Sequence, residues 1–186
     1  FIAIFAVFSY IGPVLQALVP MSGARLSVTL ALFGLSGVAG TLIGGAANDY
    51  FGSRRTLLVQ LSVLGTTMVA LPLAAGSWGL LIAVLLVWGT AGFGMMAPQQ
   101  SRLAALAPAQ APLLLSLNTS MLYLGTATGA IVGGALASSL GFERLAWAGV
   151  PFVAGTDALR GCMLARELEL YIEAGVQASA VVRVAA

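Results

Sequence analysis

The chain has no lysine and no histidine, a single cysteine, and one acidic residue, Asp49, before position 143. Only 8% of its residues are charged, where a soluble domain carries about 25%. Each scarcity excludes something. Cys162 alone builds no internal disulfide framework, and with no histidine there is no Cys/His set for a metal. A net charge of +2, spread along the chain, lacks the basic patch that nucleic acid requires. No phosphate loop, dinucleotide fingerprint or hydrolytic constellation occurs; Gly92-Phe93-Gly94 has no strand beside it. The sequence therefore predicts no catalytic residue, cofactor, metal or nucleic-acid partner.

Apolar residues are abundant: 60% of the chain is hydrophobic and the mean hydropathy is +1.02. There is too little polar surface to face water on all sides. A membrane-crossing helix needs about 20 mostly apolar residues, and the stretches 1–20, 27–48, 56–76, 79–98 and 113–140 qualify. A sixth starts at Leu145 and meets Asp157. A transmembrane β-barrel would instead show alternating segments of about ten residues. The expected class is an all-α, multi-pass membrane protein in which 99–112 is the longest connection and the lipid bilayer is the main partner. Phe1 already stands inside an apolar run, which predicts a piece of a longer protein.

Two of the runs match each other. GTLIGGAANDYFG (40–52) aligns with GAIVGGALASSLG (129–141) at an offset of 89, with glycines coinciding at 40/129, 44/133, 45/134 and 52/141. That offset lays the second run over the fifth, so the expected repeat is three helices, and an odd number inverts the second copy in the bilayer. The copies differ in charge: Ser138 replaces Asp49 and Glu143 replaces Arg54. Arg-rich short loops stay in the cytoplasm, which places 48–55 and Arg102 inside, with Arg25 and Arg144 opposite. Small residues at i, i+4 let membrane helices approach closely, so Gly40, Gly44, Gly125, Gly129 and Gly133 are expected packing positions.

GGAANDYFGSRR (44–55) resembles the cytoplasmic loop signature of the major facilitator superfamily, G-x-L-A-D-R-x-G-R-R. Gly45, Asp49, Gly52 and Arg54 match it, with Arg55 as a further base; Tyr50 and Ser53 depart from it. YIGP (10–13), APQQSRLAALAP (97–108) and LNTSMLYLGTATGAIVGG (117–134) resemble stretches of that family's drug and sugar efflux branch, the arabinose-efflux-permease-like proteins. The resemblance implies the six-helix C-terminal half of the major facilitator fold, an inverted 3+3 repeat starting in the seventh helix. Residues 1–156 would be that transmembrane half, with its last helix truncated or altered, and a preceding N-terminal six-helix half would be its partner. It also implies alternating access in the cell (inner) membrane and proton-coupled antiport of small organic solutes, drugs or sugars. Uptake or uniport of a metabolite and a non-transporting membrane fragment are the alternatives.

Within that reading Gly45, Asp49, Gly52, Arg54 and Arg55 form a cytoplasmic gate. A carboxylate at a helix C-terminus opposes the helix dipole and calls for a compensating partner, here Arg54, Arg55 or a helix outside this chain. The family's cavity-lining helices favour Tyr10, Gln16 and Asn118 on the substrate path; Tyr123 offers a further hydroxyl there. Interhelical hydrogen bonding is the competing role for Gln16 and Asn118. No ionisable group interrupts the first, third, fourth or fifth run, so a proton-carrying group is expected in the other half. The resemblance fades after about Phe152, and 157–186 reads as an amphipathic or irregular tail. There Leu164, Leu168, Tyr171 and Ile172 share one helical face; an altered reading frame accounts for the change equally well.

Overall fold

A computed structural model of the chain describes residues 1–145 and 147. Every element is helical, as backbone in a bilayer requires when its polar groups find no water. The order is α1 (Ile2–Phe8), α2 (Ile11–Leu18), α3 (Gly23–Phe51), α4 (Ser53–Leu73), α5 (Trp78–Gly94), α6 (Met96–Leu106), a 3₁₀ turn (Pro108–Gln110) and α7 (Ala111–Leu140). Four stretches among the described residues are long and apolar enough to cross a membrane: Gly23–Phe51, Ser53–Leu73, Trp78–Leu106 and Pro108–Leu140. The expected sixth run and the tail, including the face of Leu164 and Leu168, lie almost wholly outside the described residues.

Two expectations need correction. The run 1–20 is not one helix but two, broken at Ser9 and Tyr10. The cause is Pro13: it has no N–H for the carbonyl four residues back, that of Ser9, and its ring crowds that turn. The segment 99–112 is not a loop. Helix continues to Leu106, carrying Gln99 and Gln100, because Gln, Arg, Leu and Ala are all good helix formers and Leu103 is buried beneath them. Pro98 acts on α5 as Pro13 does on α1, leaving the carbonyl of Gly94 without a helical donor at the α5–α6 junction.

The helices pair through glycine. On α3, a Cβ at Gly40 would lie 2.8 Å from the Thr90 Cα, and one at Gly44 2.7 Å from the Gly94 Cα. On α7, a Cβ at Gly129 would lie 2.7 Å from the Ile2 carbonyl oxygen, and one at Gly133 2.8 Å from the Ala6 Cα. Gly125 lies one turn earlier, 3.2 Å from the Phe1 Cβ by the same measure. Thus α3 seats on α5, and α7 seats on α1. The glycines of the two pairs are 89 positions apart, while their partners, Ile2 with Thr90 and Ala6 with Gly94, are 88 apart. Between the pairs a core forms around Val7, Leu15, Phe33, Leu64, Met68 and Trp88.

Helix ends repeat as well. The first glycine cap, Gly52, has φ 80° and ψ 157°; its N–H donates to the Asn48 carbonyl. The second, Gly141, has φ 79° and ψ 161°; its N–H donates to the Ala137 carbonyl. That backbone region is open essentially to glycine alone. The same backbone exit at the same register of both long helices therefore depends on the missing side chain.

Candidate functional site

The turn that joins α3 to α4 is one residue long, and it gathers most of the polar side chains at its end of the bundle. From inside, Thr56 holds it shut. Thr56 is 5% exposed, and its hydroxyl lies 3.1 Å from the Ala47 carbonyl oxygen and 3.0 Å from that of Gly52. On the outer side stands Asn48. The Ser53 hydroxyl donates to Asn48 Oδ1 at 2.8 Å, and Asn48 Nδ2 donates to Ser101 Oγ at 3.3 Å and to Asp49 Oδ1 at 3.4 Å. Helix α6, which carries Ser101, is thereby tied to the turn.

The charges of the turn face outward. Asp49, Arg54 and Arg55 are exposed. Asp49 lies in the last turn of α3, where the helix dipole is negative, and the two arginines lie in the first turn of α4, where it is positive. Each charge is at the unfavourable end of its own helix, a cost of about 0.3–1 kcal/mol apiece. The contact given to the Asp49 carboxylate is the neutral Asn48 amide at 3.4 Å, beyond the usual range of a strong hydrogen bond. Gly45 opens onto free space and Tyr50 is 84% exposed, its ring edge-on to Phe51 at 4.7 Å. The dipoles of their own helices thus do not favour these charges where they stand.

The opposite end of the bundle is anchored differently. The Arg25 guanidinium lies 5.6 Å above the Trp78 ring. The Trp78 indole N–H donates to Thr29 Oγ1 at 3.1 Å, and that hydroxyl donates to the Arg25 carbonyl at 2.8 Å. An amphipathic Trp paired with Arg is the chemistry of a membrane–water interface.

The four substrate-path residues are not gathered into one place. Tyr10 donates its hydroxyl to the Ala130 carbonyl at 3.1 Å and covers Gly134, so it locks α2 onto α7. Asn118 is half-buried twelve residues earlier on α7, about 18 Å along the axis at 1.5 Å per residue. Gln16 is exposed on α2, and Tyr123 is 69% exposed on α7.

Two buried polar groups stand apart from these. Trp88 Nε1 and Gln60 Oε1 are buried with no hydrogen-bond partner. Gln60 borders a crevice of about 310 Å³ between α3, α4 and α5, beside Ile43, Val59, Val63 and Thr90. Asn48, Ser53 and Ser101 were not singled out by the sequence. The only signal for them was that Ser53 breaks the loop signature; nothing in the spacing joins residue 48 to residue 101.

The sequence matches the Major Facilitator Superfamily over residues 1–164. It is 34% identical over 169 residues to the inner membrane transport protein YdhP of Escherichia coli (strain K12), covering 89% of this chain and 42% of that protein. It is 29% identical over 142 residues to the uncharacterized MFS-type transporter YbcL of Bacillus subtilis (strain 168), covering 76% of this chain and 36% of the relative. A probable sugar efflux transporter of Pasteurella multocida (strain Pm70) is 26% identical over 150 residues, 80% of this chain and 36% of its own length. The chain thus spans well under half the length of these relatives. With its apolar helices, its glycine-sealed helix pairs and this match over most of its residues, the chain belongs to the major facilitator superfamily of membrane transporters.

Proposed function

We propose that this chain is the C-terminal half of a secondary active transporter in the cell membrane, completed by an N-terminal six-helix half. It exports small organic solutes, drugs or sugars, in exchange for protons. The two halves rock about a midplane site. Residues 1–156 form the transmembrane half, built as an inverted 3+3 repeat, and 157–186 form the tail. The observation that carries the repeat is the recurrence of one helix contact and one glycine cap 88 or 89 residues apart. Efflux is supported by the likeness to the Pasteurella protein, a probable sugar efflux transporter.

In this reading the α3–α4 turn faces the cytoplasm. Asp49, Arg54 and Arg55 pair with the other half in one state and release it in the next, a population shift driven by contacts present in only one state. The broken α1–α2 segment carries Gln16 to the solute path, with Asn118 and Tyr123 on α7. No Asp, Glu, Lys, Arg or His lies within 1–20, 27–48, 56–76, 79–98 or 113–140, so proton exchange belongs to the other half.

Reconstitution of the full-length transporter in vesicles tests this. An imposed proton gradient, with dyes or sugars trapped on the cytoplasmic side, should drive export against the solute gradient. Flux that follows the solute gradient alone and ignores the proton gradient would replace antiport with uniport. Gradient-driven flux from this chain by itself would remove the need for a second half.

A further inference from the structure

Asn48 both accepts and donates at the α3–α4 turn. Its Oδ1 receives the Ser53 hydroxyl at 2.8 Å, and its Nδ2 spans to Ser101 at 3.3 Å and to Asp49 at 3.4 Å. Of the twenty side chains, a primary amide supplies this combination at this length. The residues it joins belong to three helices: Asp49 to α3, Ser53 to α4 and Ser101 to α6. Thr56 donates instead to the carbonyls of Ala47 and Gly52, within the turn itself. At the corresponding place on α7 stands Ala137, and Phe142 replaces Ser53, so the second turn has neither half of this network.

We infer that Asn48 is a positioning residue that couples the α3–α4 turn to α6, so that the end of α6 moves with the gate. This rests on the reading of the turn as a gate. The latch's links from Asn48 to Ser53 and Ser101, which cross between helices, are neutral. Their strength does not fall with ionic strength, whereas pairs made by exposed Asp49, Arg54 and Arg55 are screened by salt. Two devices of different chemistry therefore act at one turn. The charges choose between states, and the amide transmits the choice to α6.

Hydrogen exchange on the full-length transporter in vesicles, followed peptide by peptide, tests the inference. Asn48→Ala should speed exchange in 99–106 about three- to tenfold, the span of one neutral hydrogen bond, equally at low and high salt. Asn48→Leu keeps about the volume and removes both the donor and the acceptor, and it should behave as Asn48→Ala does. Ser101→Ala should give the same acceleration, the Asn48→Ala/Ser101→Ala pair no more than either alone, and Ser101→Thr none. Asp49→Asn should leave 99–106 unchanged while altering the salt dependence of transport. Should Asn48→Ala fail to fold, the exposed Ser101 variants alone decide. Unchanged exchange in 99–106, or additive effects of the two substitutions, would overturn the coupling. Normal transport by Asp49→Asn, with the α6 effects intact, would overturn the gate and keep the latch.

Discussion

The turns after α3 and α7 share a backbone and share almost nothing else. Both leave their helix through a glycine at φ near 80°, Gly52 and Gly141. After Gly52 the chain is held by hydroxyls and an amide: Ser53, Thr56 and Asn48. At the same places around Gly141 stand Phe142, Leu145 and Ala137. Leu145 is fully buried, and the Phe142 ring lies 6.2 Å from that of Tyr10. The difference separates two jobs that one geometry can serve. Apolar packing is non-directional and is lost only by exposing surface, so the second turn is cemented. Hydrogen bonds and exposed charges can be exchanged for others at small net cost, as the gate proposed at the first turn requires.

That contrast can be broken by substitution. The largest expected effect is at Leu145: Leu145→Ala should destabilise by about 2–5 kcal/mol, the range for emptying a packed leucine site. Thermal unfolding of the purified transporter would measure it, and a loss below that at Thr56 would deny that the second turn is cemented. Next come the helix contacts. Gly44→Val and Gly133→Val each force α3 from Gly94 or α7 from Ala6, and overpacking of this kind costs about 3 kcal/mol. Equal losses of folded yield in detergent are expected, and a marked inequality would break the equivalence of the two pairs. Gly52→Ala and Gly141→Ala should each cost about 2 kcal/mol through backbone strain, again equally. The smallest effect is Thr56→Val, which removes a hydroxyl and keeps the shape, at about 1 kcal/mol. It should register more clearly as faster backbone exchange at Gly52 than as a change in melting.

Much of the architecture was legible in the sequence, because a bilayer leaves a chain few options. Long apolar runs had to be helices, and the ends of α3 and α7 were marked by Gly52 and Gly141. The misreadings came where one residue outweighed its neighbours. Pro13 divides a run that hydropathy treats as continuous, and QQSRLAAL is polar enough to resemble a loop yet has strong helix propensity. The polar cluster was only half visible. Asp49, Arg54 and Arg55 stand out by charge against an apolar chain. Asn48 does not, because its importance lies in Ser101, 53 residues away, and no spacing rule links them. The reach of Tyr10 to Ala130, across 120 residues, was hidden for the same reason.

The central claim is that the charged turn works as a gate and not merely as a topological marker. Asp49→Asn keeps the size of the side chain, the glycine cap and one oxygen to accept from Asn48, and removes the charge. In the reconstituted full-length transporter it should slow solute flux about tenfold, the scale of one lost charge-assisted contact, with membrane insertion and folded yield unchanged. Wild-type flux from correctly inserted Asp49→Asn protein would contradict the account.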